Sequence, residues 1–322
     1  MSAVTVVIPT FNRAGVLKKA LDAYSVQSPP GLIRELIVVD DGSTDNTKSV
    51  VEEASGKYGF EVRYVRQSNS GPATARNVGI REARAEIILF TDSDIVPDRE
   101  LVSQHVLRHQ ENRADSVAVL GYVTWPQEPR PTPFMKWLGE HGALFAYREL
   151  RNKREINYRY MYACNLSFKA NFLRAHGQFN EEFKSAAWED IELGYRLSQA
   201  GLRLLYNRDA VAYHHQFFTF GDVRRKADAN SAARIVFARS AAGKEFEKQQ
   251  RRKRTGLRYR LAKIAALAAG GLVRPADPLL DSHIPLPASL YRALYWYHVN
   301  RLADAPDSRA KIAHRVVMDV QE

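Results

Sequence analysis

From residue 4 to about 124, short β-branched and apolar runs alternate with stretches whose apolar residues recur at helical spacing. The runs Thr5–Pro9, Glu35–Asp40, Glu61–Val65, Glu86–Asp92 and Ser116–Val123 predict five strands. Between the first two, Val16, Leu17, Ala20, Leu21 and Tyr24 predict a helix with one apolar face. Strands alternating with helices predict an α/β fold, a mixed, mainly parallel sheet flanked by helices. In such sheets ligands bind at the carboxyl ends of the strands, so the residues after Ile8, Val39 and Phe90 are the first candidates for chemistry.

The pattern breaks at Trp125–Pro133, where four prolines predict an irregular connection between a half at about 1–124 and a half at about 125–220. A helix restarts near Met135, a polar and basic stretch covers Arg151–Tyr160, and Met161–Phe168 follows. After Glu189-Asp190, the spacing of Ile191, Leu193, Leu197 and Ala200 predicts a helix that Gly201 stops. Two strands, Leu202–Tyr206 and Ala210–Tyr213, are expected to lead to His214-His215. Beyond Gly221 the sequence turns helical and basic, which predicts a separate C-terminal region, 221–322.

Composition narrows the classes. Of 322 residues, 45% are hydrophobic and 26% charged, the balance of a folded globular protein. No uninterrupted apolar stretch reaches the ~18 residues of a membrane span. Cys164 is the one cysteine, so no internal disulfide can form, and no Cys/His cluster has zinc-site spacing. Val4–Ile8 reads as a first strand rather than as part of a signal peptide, and a cytoplasmic location is expected. The formal charge of +11 raises nucleic-acid binding as a rival reading. However, the basic runs fall after residue 220 and the acidic clusters fall in the sheet region, so nucleic acid is not the expected partner.

Four local patterns can carry chemistry. Asp92-Ser93-Asp94 follows the strand Ile87–Phe90, and two carboxylates one residue apart can hold a hard divalent cation whose other sites are filled by phosphate and water. The bland alternative is a turn or a helix cap. Asp40-Asp41-Gly42-Ser43-Thr44-Asp45 ends another strand; an Asp there can accept from a base or a ribose, or can simply build an Asx-rich turn. Gly71-Pro72 opens a helix that presents Arg76, suited to a diphosphate or to a surface ion pair, and Asn77, suited to holding a loop. Trp188-Glu189-Asp190 begins a helix, where an ionised Asp can take a proton from an attacking hydroxyl or merely complement the helix dipole.

In series, Val6-Val7-Ile8-Pro9-Thr10-Phe11-Asn12-Arg13, the Asp40–Asp45 cluster, Gly71-Pro72…Ala75-Arg76-Asn77-x-Gly79, Asp92-Ser93-Asp94 and Glu189-Asp190 resemble the family-2 glycosyltransferases of GT-A fold. The stretch Cys164–Phe168…Gly177–Phe183 also looks like the one preceding the family's Glu-Asp motif, with Gln178-Phe179-Asn180-Glu181 where Gly-Phe-Asp-Glu is usual. The resemblance covers about residues 4–215. It implies a nucleotide-sugar donor, most often a UDP-sugar, a Mn²⁺ or Mg²⁺ ion, and transfer with inversion to a carbohydrate, lipid-linked or other hydroxyl acceptor in polysaccharide, glycolipid or glycoconjugate synthesis. By the same resemblance Pro9, Thr10, Phe11, Asp40, Asp41, Arg76, Asp92 and Ser93 would line the nucleotide. Asp94, with Asp92 and either His214 or His215, would hold the metal, and Asp190, beside Glu189, would be the base. Trp125, Asn165 and Trp188 are the acceptor-side candidates. A nucleotidyltransferase of related fold, the nearest alternative, leaves Glu189-Asp190 without a role.

The C-terminal region lies outside the resemblance. Arg251-Arg252-Lys253-Arg254 and the apolar, cation-bearing stretch Leu257–Ala269 suit either peripheral contact with an anionic membrane face or a helical hairpin packed internally or in a homodimer.

Overall fold

The computed structural model describes residues 3–141, 144–253 and 277–301. Its strands are β1 (Val4–Thr10), β2 (Ile33–Asp40), β3 (Glu61–Arg66), β4 (Ile87–Thr91), β5 (Ile95–Pro97), β6 (Val117–Thr124), β7 (Glu155–Ile156), β8 (Asn165–Lys169) and β9 (Arg203–His214). Helices α1 (Ala14–Ser25), α2 (Thr47–Ala54), α3 (Pro72–Glu82), α4 (Leu101–Glu111), α5 (Pro133–Glu140), α6 (Ala170–His176) and α7 (Glu189–Gln199) intervene. They are followed by α8 (Phe220–Ala229), α9 (Ser231–Arg239), α10 (Ala241–Lys253), α11 (Asp277–Leu280) and α12 (Ala288–Arg301).

The strands pair in the order β3-β2-β1-β4-β8-β6-β9-β5, with β7 on β9. Pairing is parallel from β3 through β4 and again between β6 and β9; β8 enters antiparallel between β4 and β6. The fold is therefore the expected mixed α/β sheet with helices against it. Strands β1 and β4 are apolar along their length because they are central and covered on both faces: Val4, Val6, Val7, Ile8 and Ile87–Phe90 are all fully buried. Edge strand β3 differs, carrying Glu61, Arg63 and Arg66 on half-buried or exposed positions.

Close packing explains one glycine of the Ala-Arg-Asn-x-Gly pattern. A Cβ on Gly79 of α3 would lie 2.2 Å from Val7 Cγ1, so only a hydrogen there lets the helix rest on β1.

Two sequence expectations are revised. The strands expected at Leu202–Tyr206 and Ala210–Tyr213 are one strand, β9; its register on β6 jumps from Gly121↔Asn207 to Tyr122↔Val211, and the polar residues between bulge out of the ladder. Beyond the bulge β9 stays paired with β6 and is also paired with β5, Ile95 lying opposite His214 at its far end. The second revision is β8, in a stretch for which no element is expected from the sequence: Asn165, Ser167 and Lys169 alternate with Leu166 and Phe168, and all five are buried.

The residues gather into two compact units: Met1–Pro126 with Leu150–Gln216, and Gln127–Glu149 with Phe217–Glu322. The first contains the sheet. In the second, Phe134 and Trp137 of α5 pack on Tyr291 of α12, and Phe134 also on Phe220 of α8. Among the described residues no helix is long and apolar enough to cross a membrane. Residues 254–276, which include the Leu257–Ala269 stretch, lie outside the described residues.

Candidate active site

Each acidic cluster sits where a strand ends and its neighbour begins a turn. At the end of β1, Asn12 adopts the left-handed conformation (φ 53°) that this short polar residue tolerates. Its N–H donates to Ser43 Oγ (2.9 Å) and its Oδ1 accepts from Thr44 N–H (2.8 Å), while Ala14 N–H donates to Asp45 Oδ2 (3.0 Å). The turn after β1 is thereby clamped to the turn after β2. Thr10 is buried beneath it and Phe11 projects with 45% of its surface exposed.

The two carboxylates after β2 are held by their own loops. Asp40 accepts from Ser43 N–H (2.8 Å) and from the Tyr64 hydroxyl. Asp41 accepts from Gln67 Nε2 (2.6 Å), Ser70 N–H (2.8 Å) and Gly71 N–H (2.9 Å). Asp41 thus ties the Asp-Gly turn to the start of α3. Gly42 makes that turn at φ 88°, with Asn69 N only 3.1 Å from where a Cβ would be.

Arg76 is 2% exposed, more deeply placed than a nucleotide-facing arginine would be. Its Nη2 donates to Asp92 Oδ1 (2.8 Å) and its Nη1 to Glu189 Oε1 (2.8 Å), and the guanidinium lies 5.4 Å from the Phe179 ring centre. Both ends of the fork are used, which an arginine permits and a lysine does not. One buried cation therefore joins the loop after β4 to the start of α7, residues nearly a hundred positions apart. Beside it, the Asn77 amide accepts from Phe179 N–H (2.9 Å) and donates to Phe179 O (2.9 Å) and Glu181 Oε1 (2.8 Å), which fixes the segment leading to α7.

Beyond Asp92, Ser93 is buried, and Asp94 Oδ2 meets Arg13 Nη1 at 2.9 Å and His214 Nε2 at 3.5 Å. The His214 ring is stacked on Trp125, with centroids 5.4 Å apart and planes within 9°. His215 follows half-buried, its backbone N–H donating to Asp94 O (2.7 Å). The structure thus brings Asp94 and His214 together and puts Trp125 behind the histidine. A stand-in cation, the Arg13 guanidinium, already sits on the Asp94 carboxylate. A carboxylate oxygen and an imidazole nitrogen form a donor pair suited to Mn²⁺, whereas Mg²⁺, which prefers oxygen, would use the carboxylate. Among the described residues no group of three or more His, Cys, Asp or Glu side chains could hold a metal by itself. Such a site would complete its shell with phosphate and water.

Helix α7 starts from Trp188, which is left-handed (φ 71°) and half-buried. Glu189 is 3% exposed, and burial, opposed by Arg76, raises its pKa. Asp190 is half-buried, accepting from Ala163 N–H at 3.3 Å and Ile191 N–H at 2.8 Å. Burial, followed by the adjacent Glu189 charge, pushes its pKa up to about 7. A carboxyl poised there exchanges protons readily near neutrality.

Asn165 does not face the site. It is 1% exposed, donates to Ala210 O (2.9 Å) and Tyr122 O (3.3 Å), and its Oδ1 lies 2.8 Å from His105 Nε2. Its work is to tie β8 to the bulge of β9. Sequence reasoning gave no role to Arg13, although it closes the Pro9–Arg13 motif, because nothing in the spacing signals its contact with a residue 81 positions away.

The glycosyl transferase family 2 model matches residues 5–177, more than half of the chain. The chain belongs to this family. Validoxylamine A glucosyltransferase of Streptomyces hygroscopicus subsp. jinggangensis (strain 5008) is 30% identical over 229 residues, 64% of this chain and 54% of that protein. Chondroitin synthase of Pasteurella multocida (strain Pm70) is 26% identical over 244 residues, 66% of this chain and 24% of that protein. The chain thus spans about half the length, or less, of these family members. Among solved structures, Staphylococcus aureus TarS 1–349 in complex with UDP superposes with a TM-score of 0.54 at 18% identity, covering 99% of this chain and 89% of that one. Mannosyltransferase PcManGT from Pyrobaculum calidifontis, in complex with GDP-Man and Mn²⁺, gives 0.55 at 19% identity, covering 96% and 77%. At such identities the likeness is one of fold, and that fold is GT-A.

Proposed function

We propose that the protein is an inverting, metal-dependent glycosyltransferase that moves a sugar from a nucleoside-diphosphate sugar to an acceptor hydroxyl. The observation that carries this reading is the pairing of the Asp92–Asp94 loop with Glu189-Asp190 through the single buried guanidinium of Arg76. Family membership and the UDP and GDP-Man complexes of the structural neighbours support a nucleotide-sugar donor.

Asp94 and His214 would hold the divalent ion, with Asp92 close by. When bound, that ion supplies positive charge to the departing diphosphate, so no protein acid is needed on that side. The remaining work falls to Asp190. With its pKa near 7 it accepts the proton of the attacking hydroxyl, and one carboxylate is sufficient for a single displacement, which inverts the anomeric centre. Glycoside hydrolases need two carboxylates flanking one bond; here Asp190 alone has a proton to move. Glu189, tied to Arg76, keeps α7 in position and adds the negative charge that makes Asp190 a better base. The half-buried Trp188, next to Glu189, and Trp125, stacked on His214, are the aromatic candidates for the acceptor side.

The test is donor turnover with UDP- and GDP-sugars in excess chelator and after Mn²⁺ or Mg²⁺ is restored, with the anomeric configuration of the product read by NMR. Loss and recovery of turnover, with inverted product, is expected. Full activity in chelator would overturn the metal dependence, and retained configuration the single displacement.

A further inference from the structure

The two carboxylates of the Asp92-Ser93-Asp94 loop are both ion-paired to arginines, in different surroundings. Asp92 is paired with Arg76, whose side chain is 2% exposed and also bound to Glu189. Asp94 is paired with Arg13, whose side chain is 41% exposed. A buried, doubly engaged guanidinium is costly to remove, because it would leave two carboxylates uncompensated. An exposed one exchanges its partner for water at little cost.

The backbone carrying Arg13 is fixed even though its side chain is exposed. Asn12 on one side is clamped to Ser43 and Thr44, and Ala14 on the other to Asp45. Arg13 itself precedes the first turn of α1, and its carbonyl accepts from Leu17 N–H (3.0 Å). The long side chain therefore pivots about a fixed Cα, and its guanidinium can reach whatever anion lies over Asp94.

We infer that Arg13 is an exchangeable counter-ion: it neutralises Asp94 before metal binds, yields that carboxylate to the divalent ion, and then turns to the donor's diphosphate. This rests on the metal-dependent reading above. It gives Arg13 two opposed effects. For the ion alone it is a competitor, since a guanidinium and a divalent cation repel each other and contend for the charge of the same Asp94 carboxylate. For the nucleoside diphosphate it is an aid, because a freed guanidinium beside the ion offers forked donors to phosphate oxygens. It also divides the labour of the acidic pair: Asp92 stays with Arg76, and Asp94 is the carboxylate that changes partner.

The opposed signs make the test specific. Mn²⁺ affinity of the whole protein is measured by the loss of the free-ion EPR signal, without nucleotide, for wild type, Arg13→Gln, Arg13→Lys and Asp94→Asn. UDP and GDP affinities are then measured by calorimetry in saturating Mn²⁺. Arg13→Gln is expected to bind Mn²⁺ roughly 2- to 5-fold more tightly, the range of an exposed ion pair, and the nucleoside diphosphate several-fold more weakly. Arg13→Lys, which keeps the charge but not the fork, stays close to wild type for Mn²⁺ and falls between wild type and Arg13→Gln for the nucleoside diphosphate, and Asp94→Asn loses Mn²⁺ binding. If wild type binds Mn²⁺ through Asp94 but Arg13→Gln binds it no more tightly, the counter-ion role is overturned and the metal reading stands. Unchanged nucleotide affinity in Arg13→Gln would overturn the transfer to phosphate. If no variant, wild type included, binds Mn²⁺ with or without nucleotide, the metal reading fails and this inference with it.

Discussion

Asp190 and the buried pair His105 and His109 are raised and lowered in opposite directions by the same cause, removal from water. For the carboxyl, burial favours the neutral acid and the neighbouring Glu189 reinforces the effect, giving a pKa of about 7. On the proposed reading Asp190 is the base and acts only when ionised, so kcat/KM should rise with pH and level off above about 7. Asp190→Asn should lower turnover by roughly 10²–10⁴-fold while leaving nucleotide and Mn²⁺ affinity intact. Stability runs the opposite way with pH. The unfolded carboxyl releases its proton near pH 4 and the folded one near 7, so stability contributed by this group falls as pH rises between those values. Asp190→Asn should therefore be more stable than wild type at pH 8, by on the order of 1–2 kcal/mol given its partial exposure, and indistinguishable at pH 4. Thermal melts at the two pH values check this; equal differences would refute it.

Among elements, helix α3 concentrates the most constraint, with Gly79 against β1, Arg76 on two carboxylates and Asn77 on Phe179. Gly79→Val should overpack the α3–β1 contact and cost about 1–3 kcal/mol, seen as a lower urea midpoint with an unchanged slope. This helix and the strands β1, β2 and β4 were legible in the sequence, because central parallel strands write continuous apolar runs and a Pro opens α3. The positions of the acidic clusters were equally legible, each placed by a strand end. What each carboxylate touches was not. Asp41 reads as a nucleotide ligand yet holds Gln67, Ser70 and Gly71, and Arg76 reads as a diphosphate ligand yet is buried between Asp92 and Glu189. Such partners are fixed by folding across the sheet, and no local spacing encodes them. Strand β8 escaped for a related reason: its alternation of polar and apolar residues runs over only five positions, and its polar Asn165 and Ser167 face a buried hydrogen-bond network rather than water.

That network bears on the acid tolerance of the whole molecule. His105 Nδ1 and His109 Nε2 both meet Ser167 Oγ, at 2.8 and 2.9 Å, and His105 Nε2 meets Asn165 Oδ1 at 2.8 Å. The amide oxygen can only accept, so His105 carries its proton on Nε2 and receives the Ser167 hydroxyl on Nδ1. Ser167 then accepts from His109 Nε2–H. Every donor in this chain is committed with both rings neutral, and burial lowers the His105 pKa to about 4 and that of His109 to about 3. In the unfolded chain both rings protonate near pH 6.5. Stability from the pair is thus complete above that pH and is lost as pH falls towards 4, by on the order of 2–4 kcal/mol per ring. Ring ¹⁵N shifts of the folded protein should stay those of neutral Nε2–H tautomers down to pH 5, while the urea midpoint falls between pH 7 and 5. A protonated ring in the folded protein at pH 5.5 would refute the assignment.

The charges on β3 protect the sheet against unwanted growth. An outermost strand offers its unpaired N–H and C=O groups to any other extended chain, the route to ordered aggregates. Here Glu61 is paired with Arg84, Arg63 with Glu35 and Glu82, and Arg66 donates to Ser43 O. A foreign strand adding at this border would meet charged side chains already fastened to their own molecule. This border of the sheet is in this way closed to polymerisation, and a concentrated solution of the protein has one fewer route to precipitating.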